Sequence, residues 1–230
     1  MILLGQRTDT DDLEGTVIER DTELNCLQGK SLTAVEAELT KQFTGILGQI
    51  PPQFSAIHVA GKRSYALARA GEKVELLPRQ IEIEQASFSF LERTRIQYEI
   101  RCSKGTYIRS IARDLGEYLG TCACLASIRR TRSEPFSIAE AKTLLQIGEQ
   151  GIEDSLLPLE ALVVHLPRIT LREQECALLR QGIQQPLLGV ERIGEGGDLA
   201  AVFGVDGKFQ GLVEWAELDG GQGFRIKFMV

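Results

Sequence analysis

The sequence predicts an α+β protein in which a mixed or antiparallel sheet packs with helices and a smaller β-rich domain follows. Three observations carry that prediction. Residues 96–103 alternate Ile96, Tyr98, Ile100 and Cys102 with Gln97, Glu99, Arg101 and Ser103, the period of two that marks a half-buried strand. The period then changes, because Thr106 is placed to N-cap a helix whose Ile108, Ile111, Ala112, Leu115 and Leu119 recur at helical spacing. Near the C-terminus, residues 200–205 and 208–214 flank Asp206-Gly207, a hairpin signal.

Taken in order, residues 7–15 form a polar segment carrying Asp9, Asp11, Asp12 and Glu14, and Thr16-Val17-Ile18 predicts a short strand. The three aspartates miss the spacing and the terminal Glu of a calcium loop, so turn and capping roles are expected for them. Thr33-Ala34-Val35-Glu36 reads as a capping box opening an amphipathic helix with Val35, Leu39 and Phe43 on one face, ended by Gly45 and Gly48. Pro51-Pro52 forbids a regular helix or central strand, and residues 53–65 read as an exposed loop and ribbon before a helix at 64–70. There Lys62, Arg63, Tyr65 and Arg69 interleave cations with an aromatic ring, a pattern suited to single-stranded nucleic acid. Tyr65 as a core residue of that helix is the local alternative.

Residues 81–90 alternate and pair with 96–102 through the turn Glu92-Arg93-Thr94-Arg95. Leu125 and Ile128 lead into the cations Arg129, Arg130 and Arg132, and residues 144–162 turn acidic and apolar, which reads as a helix and then a domain join. The expected domains are 1–155 and 156–230. In the second, 168–171 predicts a strand, 173–181 a helix stopped by Gly182, and 224–229 a closing strand.

A chain of 230 residues that is 43% hydrophobic and 25% charged has ordinary globular composition. Its apolar runs are too short to cross a bilayer and Met1-Ile2-Leu3-Leu4 is followed by Gly5-Gln6-Arg7, so a cytoplasmic protein without a membrane partner is expected. Five cysteines without a C-x-x-C pair are expected as core thiols, and the distant His58 and His165 give a metal site no support. The net charge of −6 hides an uneven distribution: residues 58–132 carry +6 and the remainder −12. A basic middle suits a phosphate-backbone partner, and a solvated charged surface is the alternative. At the strand-to-helix turn, Lys104 and Arg109 add two cations to a helix N-terminus, a place for an anionic group.

The stretches PPQFSAIHVAGKRSYALARAGE, CSKGTYIRSIARDLGEYLG and LASIRRTRSEPFSI resemble, in order and spacing, the bacterial tRNA pseudouridine-55 synthases of the TruB type. The resemblance covers nearly the whole chain. It implies a pseudouridine synthase-type sheet, incomplete at its N-terminus, with a PUA-like RNA-binding domain at the C-terminus. It also implies isomerisation of uridine 55 in the T-loop of tRNA, without cofactor or metal, by a monomer that binds the T-stem-loop. By motif match Tyr107 contacts the flipped uridine, Arg109 pairs with the catalytic aspartate and Ile128 lines the apolar pocket. The loop carrying Lys62, Arg63 and Tyr65 matches the RNA-gripping thumb, with Arg69, Lys104, Arg129 and Arg130 as further RNA contacts. For Arg109, pairing with Asp114 or Glu117 on its own helix is the local alternative.

The departures are specific. The family's G-T-L-D-P-x-A-T-G motif, which bears the nucleophilic aspartate, does not occur, so the sequence reads as N-terminally truncated and inactive alone. Ala60 and Glu134 also depart from the pattern, Glu134 placing an acid beside the arginine cluster. A stand-alone RNA-binding module without catalysis is the rival reading. A remnant that does not fold, its apolar sheet edges exposed, is a third.

Overall fold

The computed structural model describes residues 1–230 except 60, 73–74, 194–197 and 219–220, and also leaves out the side chains of Val59 and Lys62. Ala60 and the Lys62 side chain, both singled out above, therefore lie outside the described residues. The chain divides into two compact units, Met1–Arg129 and Arg130–Val230.

Along the first unit run β1 (Ile2–Leu4), β2 (Gln6–Thr8), β3 (Val17–Arg20), α1 (Leu32–Gln42), β4 (Gly45–Gln49), β5 (His58–Val59) and β6 (Lys62–Arg63). They are followed by α2 (Ser64–Arg69), β7 (Arg79–Glu92), β8 (Arg95–Cys102), α3 (Ile108–Leu119) and β9 (Ala123–Leu125). The main sheet has the order β4-β7-β8-β1-β9 with every neighbour antiparallel, and β2–β3 and β5–β6 form separate two-stranded ribbons. Its core joins Ile2, Ile81, Ile83, Phe88 and Ile96 of the sheet to Val35 and Leu39 of α1 and to Ile111, Ala112 and Leu115 of α3.

The alternation in 81–90 skips a step between Ile83 and Ala86, and the structure shows why: the register between β7 and β8 shifts between Ile83 and Gln85. An extra residue there moves the following apolar set back onto the core face. The hairpin turn and the period change into α3 lie where the sequence places them.

Several local expectations are corrected. The helix cap at α3 is Tyr107, not Thr106, and no side chain of its own caps it. The Thr33–Glu36 capping box does not form, because α1 starts at Leu32 with Ser31 as N-cap and the Glu36 carboxylate accepts the Phe90 N–H of β7 at 2.6 Å. Gly45 and Gly48 do not merely stop the helix; they lie in strand β4. Neither β1 nor β9 was expected, yet β1 sits between β8 and β9 in the sheet.

One glycine fixes how closely α3 approaches the sheet. A Cβ on Gly116 would lie 2.6 Å from both the Cβ and the backbone N of Ala123 in β9. Gly116→Ala is therefore expected to push α3 off β9 and to destabilise the unit by about 1–3 kcal/mol. Urea unfolding followed by circular dichroism measures this, and an unchanged midpoint contradicts the close packing.

The second unit holds β10 (Arg132–Ser133), β11 (Phe136–Ser137), α4 (Leu144–Gln150), α5 (Glu160–Val163), β12 (Arg168–Leu171), α6 (Glu173–Arg180), β13 (Leu199–Gly204), β14 (Phe209–Leu218) and β15 (Gly221–Met229). Its main sheet has the order β12-β13-β14-β15, parallel between β12 and β13 and antiparallel beyond. Ile169, Cys176, Leu179, Val202, Val213 and Phe224 form its core. The β13–β14 hairpin turns at Asp206-Gly207, where Gly207 has φ +83°.

All five cysteines are free, three of them buried, and burial pushes the Cys124 thiol up to about 11. Among the described residues no helix is long and apolar enough to cross a membrane.

Candidate active site

The turn before α3 is stitched to the sheet. Ser103 N–H donates to Glu82 O at 2.8 Å, Ser103 Oγ accepts from Glu82 N at 3.1 Å, and Gly105 takes the φ of +84° that the tight turn requires. Helical geometry then puts Arg109 and Arg113, four residues apart, on one face of α3. That face meets two other parts of the chain: the loop after β2 and the segment leaving β4.

Arg109 spans both. Its Nη1 donates to Thr10 O at 3.1 Å and to Asp12 Oδ2 at 3.2 Å, while Nη2 donates to Phe54 O at 2.9 Å. Arg109 therefore pairs neither with Asp114 nor with Glu117, which are taken by Arg113 and Arg7. The other oxygen of Asp12 is also engaged, accepting from Thr10 Oγ1 at 2.6 Å and from Glu14 N at 3.1 Å. A carboxylate with donors on both oxygens is a clamp.

One turn on, Arg113 bridges Asp11 (3.1 Å) and Asp114 (2.7 Å) and donates to Ile50 O at 2.8 Å. Burial pushes the carboxyl groups of Asp11 and Asp114 above the usual range, and the Arg113 guanidinium opposes that rise in both. The aspartates of the acidic loop thus do more than shape turns. Asp9 does so, accepting Thr16 N–H at 2.8 Å, but Asp11 and Asp12 are the carboxylates of an arginine-aspartate ladder. Leu125 of β9 ties the loop to the sheet, its N–H donating to Asp11 O at 2.9 Å and its O accepting from Leu13 N at 3.1 Å.

Tyr107 is half-buried directly before α3, and its backbone is gripped by Gln49 of β4, which accepts from Tyr107 N at 2.9 Å and donates to Tyr107 O at 3.1 Å. Ile128 lies three residues beyond β9 and is 57% exposed. Lys104 and Arg129 are exposed, and neither has an ion-pair partner among the described residues. Arg130 has none either and belongs to the second unit. Arg132 is paired with Glu134 at 3.0 Å, so that acid does neutralise one cation of the cluster.

On the ribbon and short helix, Arg63 is exposed and Arg69 sits 5.6 Å over the Tyr65 ring. Tyr65 is an exposed large side chain rather than part of the core. A cation over an exposed aromatic ring is the pairing that suits phosphate and base contacts to single-stranded nucleic acid.

Among the described residues, no three His, Cys, Asp or Glu side chains converge as metal ligands. Sequence reasoning missed Gln49, Arg113 and the pairing of Asp11 and Asp12, since each rests on a contact between residues far apart in the chain.

The N-terminal domain model of the TruB family pseudouridylate synthases matches residues 1–108, and the tRNA pseudouridylate synthase B C-terminal domain model matches residues 109–164. A tRNA pseudouridine synthase B of Synechococcus sp. (strain WH7803) is 39% identical over 221 residues, covering 90% of this chain and 72% of the relative. The chain belongs to the TruB family of pseudouridylate synthases. A tRNA pseudouridine synthase B of Bradyrhizobium diazoefficiens is 37% identical over 188 residues, 77% of this chain and 53% of the relative. The chain thus spans about half the length of that curated TruB relative. Among solved structures, a Cbf5-Nop10-Gar1 complex matches with TM-score 0.63 at 20% identity, over 99% of this chain and 65% of the matched one. An H/ACA RNP bound to a substrate RNA containing 2'-deoxyuridine matches with TM-score 0.58 at 20% identity, over 87% of this chain and 62% of the matched one. These likenesses establish a pseudouridine synthase-type α+β fold with a smaller β-rich C-terminal part.

Proposed function

We propose that the protein acts as a tRNA pseudouridine synthase of the TruB type on uridine 55, and that the chain described here supplies the RNA-recognising part of that activity without turning over alone. The observation that carries the reading is the junction of Tyr107 and Arg109 at the start of α3, where a half-buried aromatic adjoins an arginine held by a carboxylate. A flipped uridine requires a stacking surface, and Tyr107 offers one. Arg109 orients a carboxylate beside that base. In this chain the carboxylate is Asp12, and because both its oxygens already accept hydrogen bonds it serves Arg109 as a clamp rather than the uridine as a nucleophile.

The exposed cations Lys104 and Arg129, which have no ion-pair partner among the described residues, with Arg63, Arg69 and Tyr65 on the ribbon and short helix and Lys62 beside them in sequence, are the proposed contacts to a T-stem-loop. Ile128 is the proposed apolar contact to the base, and Arg130 a further cation for the backbone. Residues 156–230 are the proposed PUA-like RNA-binding domain, following a pseudouridine synthase-type domain at 1–155. In this reading the protein works in the cytoplasm as a monomer, with no cofactor, metal or membrane partner.

A second reading, an RNA-binding module that does not catalyse, is favoured by the full engagement of Asp12. Both readings require RNA binding by the same cations. Arg129→Ala is expected to weaken T-stem-loop binding across salt concentrations and to lower the slope of log K against log salt by about one. Titrating labelled RNA at several salt concentrations checks this, and an unchanged slope removes Arg129 from the interface.

A further inference from the structure

We infer that Gln49 is a positioning residue for base recognition, its buried side-chain amide fixing the backbone of Tyr107 and with it the aromatic surface offered to the RNA. The inference rests on the proposed role of Tyr107. Gln49 closes the edge strand β4, where it pairs with Arg79 of β7, and is 2% exposed. A primary amide carries both an acceptor and donors, and here both kinds are used on one residue 58 positions away: Oε1 accepts Tyr107 N–H at 2.9 Å and Nε2 donates to Tyr107 O at 3.1 Å. The side chain thereby imitates a strand partner for a single residue.

Tyr107 has particular need of such a partner. It is the N-cap of α3 with extended backbone, φ −97° and ψ 108°, and its own side chain makes no capping bond. The rest of the contact holds the helix rather than the cap. Ser110 Oγ and Arg113 Nη2 donate to Ile50 O at 2.9 and 2.8 Å, and Arg109 Nη2 donates to Phe54 O at 2.9 Å. Those bonds dock α3 on the segment after β4 whether or not Gln49 is present. The Gln49 amide alone among these groups grips the residue that precedes the helix. Gln49 also borders a hollow of about 410 Å³ lined by Phe43, Leu47, Ile81, Ile111, Asp114 and Tyr118, so Asp114 is the titratable group to which the unsubstituted chain serves as control in the test below.

The chemistry of the amide provides the test. A carboxylate at this position accepts the Tyr107 N–H but turns a second lone pair on Tyr107 O, whereas a protonated carboxyl restores the donor. The experiment compares the full chain with Gln49→Glu and Gln49→Met, binding each to a labelled T-stem-loop RNA at a series of pH values. Exchange of the Tyr107 amide hydrogen and the urea midpoint are measured alongside. Gln49→Met is expected to bind about tenfold more weakly at every pH and to exchange the Tyr107 amide faster. Gln49→Glu is expected to bind as weakly near neutrality and to regain affinity relative to the unsubstituted chain as the pH falls through its carboxyl range.

Unchanged RNA affinity in both variants overturns the inference while leaving the functional reading in place. Weakened binding that follows the urea midpoint and shows no recovery of Gln49→Glu at low pH overturns it as well, since that is the signature of a general structural role. Failure of the unsubstituted chain to bind the RNA overturns the functional reading, and this inference with it.

Discussion

Arg113→Ala is expected to destabilise the first unit by about 3–5 kcal/mol near neutral pH and by much less near pH 4. Arg113 and Asp11 are nearly buried, their side chains 11% and 9% exposed, and Arg113 also holds Asp114 at 2.7 Å. Removing the cation takes the counter-charge of Arg113 from the nearly buried Asp11 and from Asp114, whose side chain is 30% exposed. The sign of the pH dependence follows from the direction of their shifts. Both folded-state values are raised above the ordinary 3.8, burial being the larger cause. A raised carboxyl contributes stability that is complete below the unfolded value and is lost as pH rises through the folded one. Arg113 limits that loss in the native protein, so deleting it deepens the fall in stability above about pH 4. Urea unfolding monitored by circular dichroism at acid and neutral pH measures the difference, and an equal penalty at both contradicts the account.

Arg109→Lys is expected to lower stability by about 2–4 kcal/mol and to weaken T-stem-loop binding at least tenfold, although the charge is kept. The guanidinium reaches Thr10 O and Asp12 with one nitrogen and Phe54 O with the other, so one planar group joins the acidic loop to the segment after β4. A single ammonium on a flexible stem cannot occupy both ends of that fork. Asp12 then loses its partner while keeping Thr10 and Glu14, and the loop after β2 loses its anchor to α3. Parallel unfolding and RNA titrations check this. Retention of both properties by the lysine variant would show that charge alone suffices at this position.

What the sequence conveyed and what it hid have physical reasons. The β7–β8 hairpin and α3 were legible because their apolar residues repeat at the strand and helix periods over many positions. The strands β1 and β9 have three residues each, too few for a period to show, and Ile2-Leu3-Leu4 looks the same as a frayed terminus until its pairing with Ile96 and Leu125 is seen. The strand β4 reads as a helix stop because its glycines at 45 and 48 carry the local signal, while its hydrogen bonds to β7 carry the structure. Glu36 has the spacing of a capping box, but the Phe90 N–H of β7 is the donor it meets.

In the site, the motif around Tyr107 and Arg109 was visible, whereas the partners Asp12, Phe54 and Gln49 come from distant parts of the chain. The sequence assigns Asp12 to turn-making, and its Oδ1 does make a turn. The other oxygen is the one that meets Arg109.

In the proposed function this chain recognises a T-stem-loop through Tyr107, Arg109 and the neighbouring cations, while Asp12, the carboxylate that meets Arg109, is held on both oxygens and does not attack the base. The most direct test incubates an excess of the chain with a T-stem-loop RNA, measures the bound fraction, and assays pseudouridine at the position equivalent to uridine 55 by chemical labelling. The account predicts saturable binding with no pseudouridine formed. Formation of pseudouridine at that position by the chain alone would contradict it.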